Sequence, residues 1–107
     1  MNLLHSNHID THAKPLRVSA PALYNEMVKV AEQFNVQPYD LHAQLIKKND
    51  GYELKILFSY GFSQTASITV SHEQLNKPDE VIIHFFNQTA EDCKQHLIKD
   101  YFKILKV

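Results

Sequence analysis

Histidines, a single cysteine and a few hydroxyl and carboxyl groups are the side chains of this sequence that could carry chemistry. His5, His8 and His12 are spaced so that a segment folding around an ion could present three imidazoles, which zinc or nickel would accept. Nothing around them pre-organises such a site, and the mixed polar composition of residues 1–15 instead predicts a flexible arm. We therefore do not predict a metal site in this segment.

A second group lies near the C-terminus, where Asp92, Cys93 and His96 are close in sequence. On a helix, His96 lies about one turn from the other two, so a cluster of carboxylate, thiolate and imidazole could form. Cys93 also belongs to an apolar stripe, in which cysteine behaves as a small hydrophobic residue. The pattern therefore favours a core thiol beside surface polar groups.

The nearest approach to a catalytic pair is His42 with Ser59, which strand pairing predicts to be neighbours across two strands. Nucleophilic catalysis also needs oxyanion donors and a cleft that excludes water, and a flat solvated sheet face provides neither. Gly51 and Gly61 are the only glycines, which leaves no phosphate-binding loop. The sequence thus predicts a protein that is not an enzyme and has no cofactor.

Hydrophobic periodicity predicts the elements that would position these groups. Ser19 followed by Pro21 has the signature of a helix start, and Pro38 favours a helix end near Asn35. Apolar residues recur every three or four positions between these limits, as in an amphipathic helix. They are Leu23, Met27, Val30, Ala31 and Phe34.

Three strands follow, because apolar and polar residues alternate over most of residues 41–70. A two-residue Asp50-Gly51 turn would join the first two strands and pair Leu45 with Ile56. We predict an α+β, two-layer fold in which a three-stranded antiparallel meander carries two helices on one face, in the order α-β-β-β-α. A single domain over residues 16–107 would follow the arm of residues 1–15.

The C-terminal segment allows two interpretations. Proline and acidic residues at 77–80, and an apolar stripe that includes Cys93 and Tyr101, favour a single helix of about 25 residues. The alternative makes residues 81–86 a fourth strand, since Val-Ile-Ile-His-Phe-Phe is a β-prone run, and starts the helix at Thr89.

Two predicted surfaces could bind a partner. The second sheet face and an adjoining loop would carry His42, Gln44, Lys55, Ser59, Phe62, Thr65, Ser67 and Thr69. The last helix has more apolar side chains than one core-facing stripe needs. Either a partner protein or a second copy in a homodimer covers them, or the first helix and the arm cover them within one chain. These additional residues are Val81, Phe85, Ile98 and Phe102.

Composition and charge restrict the function further. The formal net charge of -1, from 11 basic and 12 acidic residues, provides no field that attracts nucleic acid or an anionic membrane. One cysteine, no signal-peptide pattern and no apolar run of about 18 residues predict a cytoplasmic protein with no membrane contact. The abundance of Lys, Asn, Ile and Phe and the lack of Trp are typical of bacterial or phage accessory proteins.

The function predicted from these observations is that of a small, non-catalytic binding protein. It would act through protein–protein contacts, by self-association or partner binding through the C-terminal helix. One alternative is a nucleic-acid-binding module that uses the open sheet face, although the charge disfavours it. A further alternative is a small enzyme or metal-binding protein of unknown reaction.

Overall fold

The computed structural model describes residues 13–105, with side chains up to Lys103. Residues 1–12 of the predicted arm, with its three histidines, lie outside the described residues. In chain order the elements are β1 (Ala13–Pro15), α1 (Leu16–Ser19), α2 (Pro21–Gln33), β2 (His42–Lys48), β3 (Gly51–Phe58), β4 (Gln64–Val70), α3 (His72–Asn76) and α4 (Glu80–Leu105). Two short 3-10 turns, Pro38–Asp40 and Tyr60–Phe62, precede β2 and β4. The predicted order α-β-β-β-α is present, with three short elements added to it.

The sheet is antiparallel and has four strands in the order β1-β2-β3-β4. Strands β2, β3 and β4 form the predicted meander, and the α+β class is confirmed. The additional strand β1 pairs with β2, placing Ala13 opposite Ile46 and Pro15 opposite Gln44. Residues 13–15 therefore belong to the sheet and not to the predicted arm.

The pairing of β2 with β3 differs from the predicted register by two residues. Asn49 and Asp50 form the turn, and Gly51 already belongs to β3. Leu45 therefore lies opposite Leu54 instead of Ile56. A shift of two leaves every strand side chain on its predicted face, since side chains alternate with a period of two.

Helix α4 is continuous, so the long-helix interpretation is confirmed and the alternative of a fourth strand at residues 81–86 is wrong. Asp79 caps the helix, because its Oδ1 accepts a hydrogen bond from the N–H of Ile82 at 3.1 Å. Ile82 and Phe86 are one turn apart and are both buried in the core. Capping and core packing together outweigh the β propensity of this run.

Both long helices lie on one face of the sheet. Helix α2 covers the β2 side, where Tyr24 borders a cavity with Leu41 and Ala43. Helix α4 covers the β3–β4 side, where the rings of His96 and Phe58 meet edge-on with 5.9 Å between their centroids. The core between the layers includes Leu16, Leu23, Met27, Val30, Leu45, Leu54, Ile56, Val70, Ile82, Phe86 and Cys93. Within residues 13–105, no helix has the length and apolar character needed to cross a membrane.

Candidate binding surfaces

Helix α4 is longer than the strands against which it packs. The 26 residues of α4 span about 39 Å, whereas the seven residues of β4 span about 24 Å. Tyr101 is accordingly 59% exposed and Phe102 is 56% exposed. The prediction that Tyr101 continues the buried stripe is wrong, because the helix is longer than the layer that covers it.

An apolar groove, which we call the α4 groove, lies between the C-terminal end of α4 and the end of α2. It has a volume of about 500 Å³. Its lining is formed by Phe34, Asn35, Lys94, Leu97, Ile98, Tyr101 and Phe102. The rings of Tyr101 and Phe102 meet edge to face with 5.8 Å between their centroids. Lys94 is the one charged side chain of this lining, so the groove combines apolar walls with a single cation.

The four apolar residues predicted for the helix surface form two separate patches. Val81 is 60% exposed and Phe85 is half-buried near the start of α4, whereas Ile98 and Phe102 line the α4 groove. Val81 and Ile98 are 17 residues apart, which corresponds to roughly 25 Å along the helix axis. The structure therefore does not bring the two pairs together, and each pair needs its own interpretation.

The second face of the sheet brings together most of the polar residues predicted for it. Lys55 lies opposite Gln44 on β2 and opposite Ser67 on β4. Thr65, Ser67 and Thr69 share this face at alternate positions of β4, and all three are exposed. The result is an open face with a row of three hydroxyl groups along its outer strand.

The same face holds an ion pair and a buried apolar residue. The Nζ of Lys48 lies 3.5 Å from Oε1 of Glu53. The register places Glu53 opposite Ile46, so the ion pair is diagonal across the strands. Ile46 is only 3% exposed and lies beside this pair. One of the two lysines on this face is thus already engaged.

An aromatic corner lies at one end of the open face. The rings of His42 and Phe62 have their centroids 5.5 Å apart, and Nε2 of Gln44 lies 3.3 Å from Nε2 of His42. Phe62 occupies the turn before β4 with a φ of 54° and remains 45% exposed. These three predicted residues are brought together by the structure.

Ser59 does not join this corner. Its φ of 73° turns the chain out of the strand immediately after Phe58. The hydroxyl of Ser59 instead donates to Oδ2 of Asp100 on α4 at 3.3 Å. His42 pairs with Leu57, so the predicted cross-strand pair of His42 and Ser59 is wrong. The two-residue shift in register separates this pair, and the end of β3 at Phe58 in addition removes Ser59 from the open face.

Cys93 is buried in the core, as predicted from its place in the apolar stripe. Burial raises the pKa of the Cys93 thiol to about 11, and the carboxylate of Asp40 adds to this effect. The imidazole of His96 packs against Phe58. No three His, Cys, Asp or Glu side chains between residues 13 and 103 are arranged to hold a metal ion. Cys93 therefore acts as a packing residue here.

Sequence reasoning missed Phe34, Leu97 and Tyr101 as members of a surface site. All three continue the apolar stripes of α2 and α4, and a stripe shows which side of a helix is apolar but not how far its neighbours extend. The available signal was the length of α4 relative to the strands. A helix of about 25 residues is longer than any strand that the sequence predicts.

No protein-family model, curated protein or solved structure matches this chain.

Proposed function

We propose that this protein is a small, non-catalytic binding protein whose α4 groove accepts an amphipathic helix of a partner protein. The observation that carries this proposal is the exposure of three adjoining large side chains in the groove. Ile98, Tyr101 and Phe102 are 41%, 59% and 56% exposed. Contiguous apolar surface of this kind is typical of protein-binding sites.

The groove favours a helix as its occupant. Its walls are side chains of α2 and α4, and most backbone N–H and C=O groups of these helices bond within the helix. An extended peptide would find no row of free backbone groups there, whereas a helix satisfies its own hydrogen bonds and presents apolar residues on one side. Lys94 favours an acidic residue beside that apolar side.

The exposed area of the groove is small for a stable interface with any partner, a second copy included. Ile98, Tyr101 and Phe102 together expose roughly 300 Å², taking about 200 Å² for a large side chain. A symmetric contact through them alone falls short of the about 800 Å² per partner that stable interfaces bury. At about 25 cal/mol per Å², this area contributes about 7 kcal/mol before the costs of association. Since the costs of association take several kcal/mol of this, the exposed area alone supports only weak binding.

The open sheet face gives weaker support to the alternative of a nucleic-acid-binding module. The exposed ring of Phe62 beside His42 offers a surface on which a base could stack. Affinity for nucleic acid depends mainly on cations that contact phosphates. Lys48 is paired with Glu53, which leaves Lys55 as the other lysine on this face of the described strands.

The proposal can be tested by comparing groove variants with a matched surface variant. Ile98→Asp and Phe102→Asp place a charge in the groove at exposed positions, so both variants should fold. Tyr39→Asp is the control, because Tyr39 is 80% exposed and lies outside the groove lining. The wild type and each variant are first used to capture proteins from a lysate of the source organism. Any protein that the wild type and Tyr39→Asp capture, but the groove variants do not, is then purified and titrated by calorimetry.

The expected result is a purified partner that binds the wild type and Tyr39→Asp equally and binds Ile98→Asp at least about tenfold more weakly. Backbone amide shifts of the labelled protein should change around residues 94–102. If folded Ile98→Asp and Phe102→Asp capture and bind the same proteins as the wild type, the α4 groove is not the binding site.

A further inference from the structure

Strand β4 is an edge strand without the usual protection against pairing with another chain. Natural edge strands are typically short or carry charged residues, proline or a bulge. The β4 sequence Gln-Thr-Ala-Ser-Ile-Thr-Val, residues 64–70, contains no charged residue and no proline. Its pairing with β3 is continuous from Tyr52–Val70 to Phe58–Gln64, so it contains no bulge. Seven residues are also long for an unprotected edge.

The geometry shows which backbone groups of β4 point away from the sheet. The carbonyl oxygen of Val70 is directed at β3, where it would lie 2.9 Å from a Cβ built on Gly51. Because the direction of the backbone groups alternates along an antiparallel strand, the N–H and C=O groups of Thr65, Ser67 and Thr69 point outward. Within residues 13–105, no backbone hydrogen bond from a turn, loop or helix reaches them.

We propose that β4 pairs with β4 of a second copy of this chain, antiparallel and centred on Ser67, to form a continuous eight-stranded sheet. The order of side chains favours this partner and this register. Thr65 of one copy lies opposite Thr69 of the other, and Ser67 lies opposite Ser67 of the second copy. Hydroxyl side chains thus meet hydroxyl side chains, a favourable cross-strand combination, and no charges are opposed. The three outward-pointing residues of each copy form about six inter-chain N–H···O bonds.

The same two-fold axis brings the two copies of α4 to packing distance. Neighbouring strands are about 4.8 Å apart, so the two-fold axis lies about half of this distance outside β4. A helix over the boundary between β3 and β4 lies about the same distance inside β4, and therefore roughly 5 Å from the axis. The two α4 helices would then be about 10 Å apart, which is the separation of packed helices.

The patch of Val81 and Phe85 is suited to this second contact. Phe85 is nine residues, or two and a half turns, from Lys94, so the two residues lie on opposite sides of α4. Because Lys94 lines the α4 groove beside α2, Phe85 faces away from α2. Val81 lies one turn before Phe85 and is 60% exposed. The two-fold axis places this patch beside the C-terminal half of the second copy's α4, because opposite ends of the two β4 strands meet, and this contact does not depend on what binds in the α4 groove.

Size-exclusion chromatography with light scattering on the full chain tests the proposal. At concentrations up to about 0.2 mM, the mass should rise toward twice the 12.4 kDa of one chain. Ser67→Pro removes an outward N–H without affecting the bonds to β3, and Ser67→Lys opposes two like charges across the axis. Both variants should weaken dimerisation at least about tenfold. Gln44→Lys, on the same face but on an inner strand, is the control and should remain dimeric.

Cysteine cross-linking tests the register. In the proposed pairing, the Cα atoms of Ser67 in the two copies are about 5.5 Å apart, so Ser67→Cys should form a disulfide-linked dimer under mild oxidation. The two copies of Thr65 are displaced by four residues, about 13 Å, so Thr65→Cys should not cross-link efficiently.

A wild type that remains monomeric at about 0.2 mM, or a dimer that Ser67→Pro leaves intact, would overturn the proposal. Equal cross-linking of Thr65→Cys and Ser67→Cys would overturn the register. Ile98→Asp should leave dimerisation unchanged, so a failure of the dimer is distinguishable from a failure of the α4 groove.

Discussion

Replacing Gly51 by alanine would place a methyl group in the contact between β3 and β4. Gly51 has a φ of 140°, a conformation that residues with a Cβ rarely adopt. The added Cβ would lie 2.9 Å from the carbonyl oxygen of Val70, closer than van der Waals contact allows. Because this oxygen belongs to the backbone of β4, the clash is relieved only if the paired strands move apart.

Two costs contribute to the expected loss of stability. The unfavourable φ costs about 1–2 kcal/mol, and the overpacking against the backbone costs about 1–3 kcal/mol. Together they predict that Gly51→Ala lowers the free energy of unfolding by about 3 kcal/mol. Small domains have only about 5–15 kcal/mol of stability, so Tm should fall by more than about 10 °C.

Gly61→Ala is the matched control for this measurement. Gly61 also has a positive φ, 66°, but no atom lies within 4 Å of a Cβ built on it, so we expect a loss of about 1 kcal/mol. Urea denaturation followed by circular dichroism gives both values. If Gly51→Ala costs no more than Gly61→Ala, Val70 does not approach β3 as described, and the outward direction of the Ser67 backbone loses its basis.

Further predictions concern Cys93, Asp79 and the open sheet face. Burial raises the pKa of the Cys93 thiol from 9.0 to about 11, so at pH 8 the thiol is about 100-fold less ionised in the folded protein than in the unfolded chain. Alkylation of Cys93 should therefore be at least about 100-fold slower in the folded protein than in urea. Because the folded pKa is the higher one, Cys93 should contribute stability that is lost as pH rises from about 9 to 11, and Cys93→Ala should remove this loss. The side chain of Gln74 and the N–H of Ile82 lower the pKa of Asp79, so Asp79→Ala should lower Tm at neutral pH. The difference from wild type should shrink only as the pH falls below about 3.8 and through the lowered pKa of the folded state. Fluorescence anisotropy with labelled single- and double-stranded oligonucleotides should show no salt-dependent binding, and such binding would revive the nucleic-acid alternative.

The layers of the fold could be predicted because the face of the sheet on which a side chain lies depends on the periodicity of the strand and not on its register. The shift of two residues between β2 and β3 changed every cross-strand pair but moved no side chain to the other face. The short elements β1 and α1 could not be predicted, since three or four residues show no period. Helix α3 could have been predicted, because Ser71 and Gln74 form a capping box whose pattern can be recognised in the sequence.

The sites were harder to predict because they depend on where elements end. Ser59 was assigned to the open face by extending the alternation of β3 one residue beyond Phe58, where a positive φ redirects the chain. Tyr101 was assigned to the core by extending a stripe beyond the sheet that covers it. In both cases the local pattern of apolar and polar residues was interpreted correctly. That pattern does not show where the strand ends or how far the sheet extends under the helix.

The two proposed surfaces are compatible because they use different sides of α4. Phe85 faces the proposed two-fold axis, and Lys94, two and a half turns away, lines the α4 groove. Self-association through β4 would therefore leave two grooves open on one assembly. A partner that carries two binding helices would engage the second groove at an effective concentration in the millimolar range, which raises its apparent affinity without any new contact. Ser67→Pro should remove this gain while leaving the affinity for a single helix unchanged, so a groove of modest area could support tight binding only in the dimer.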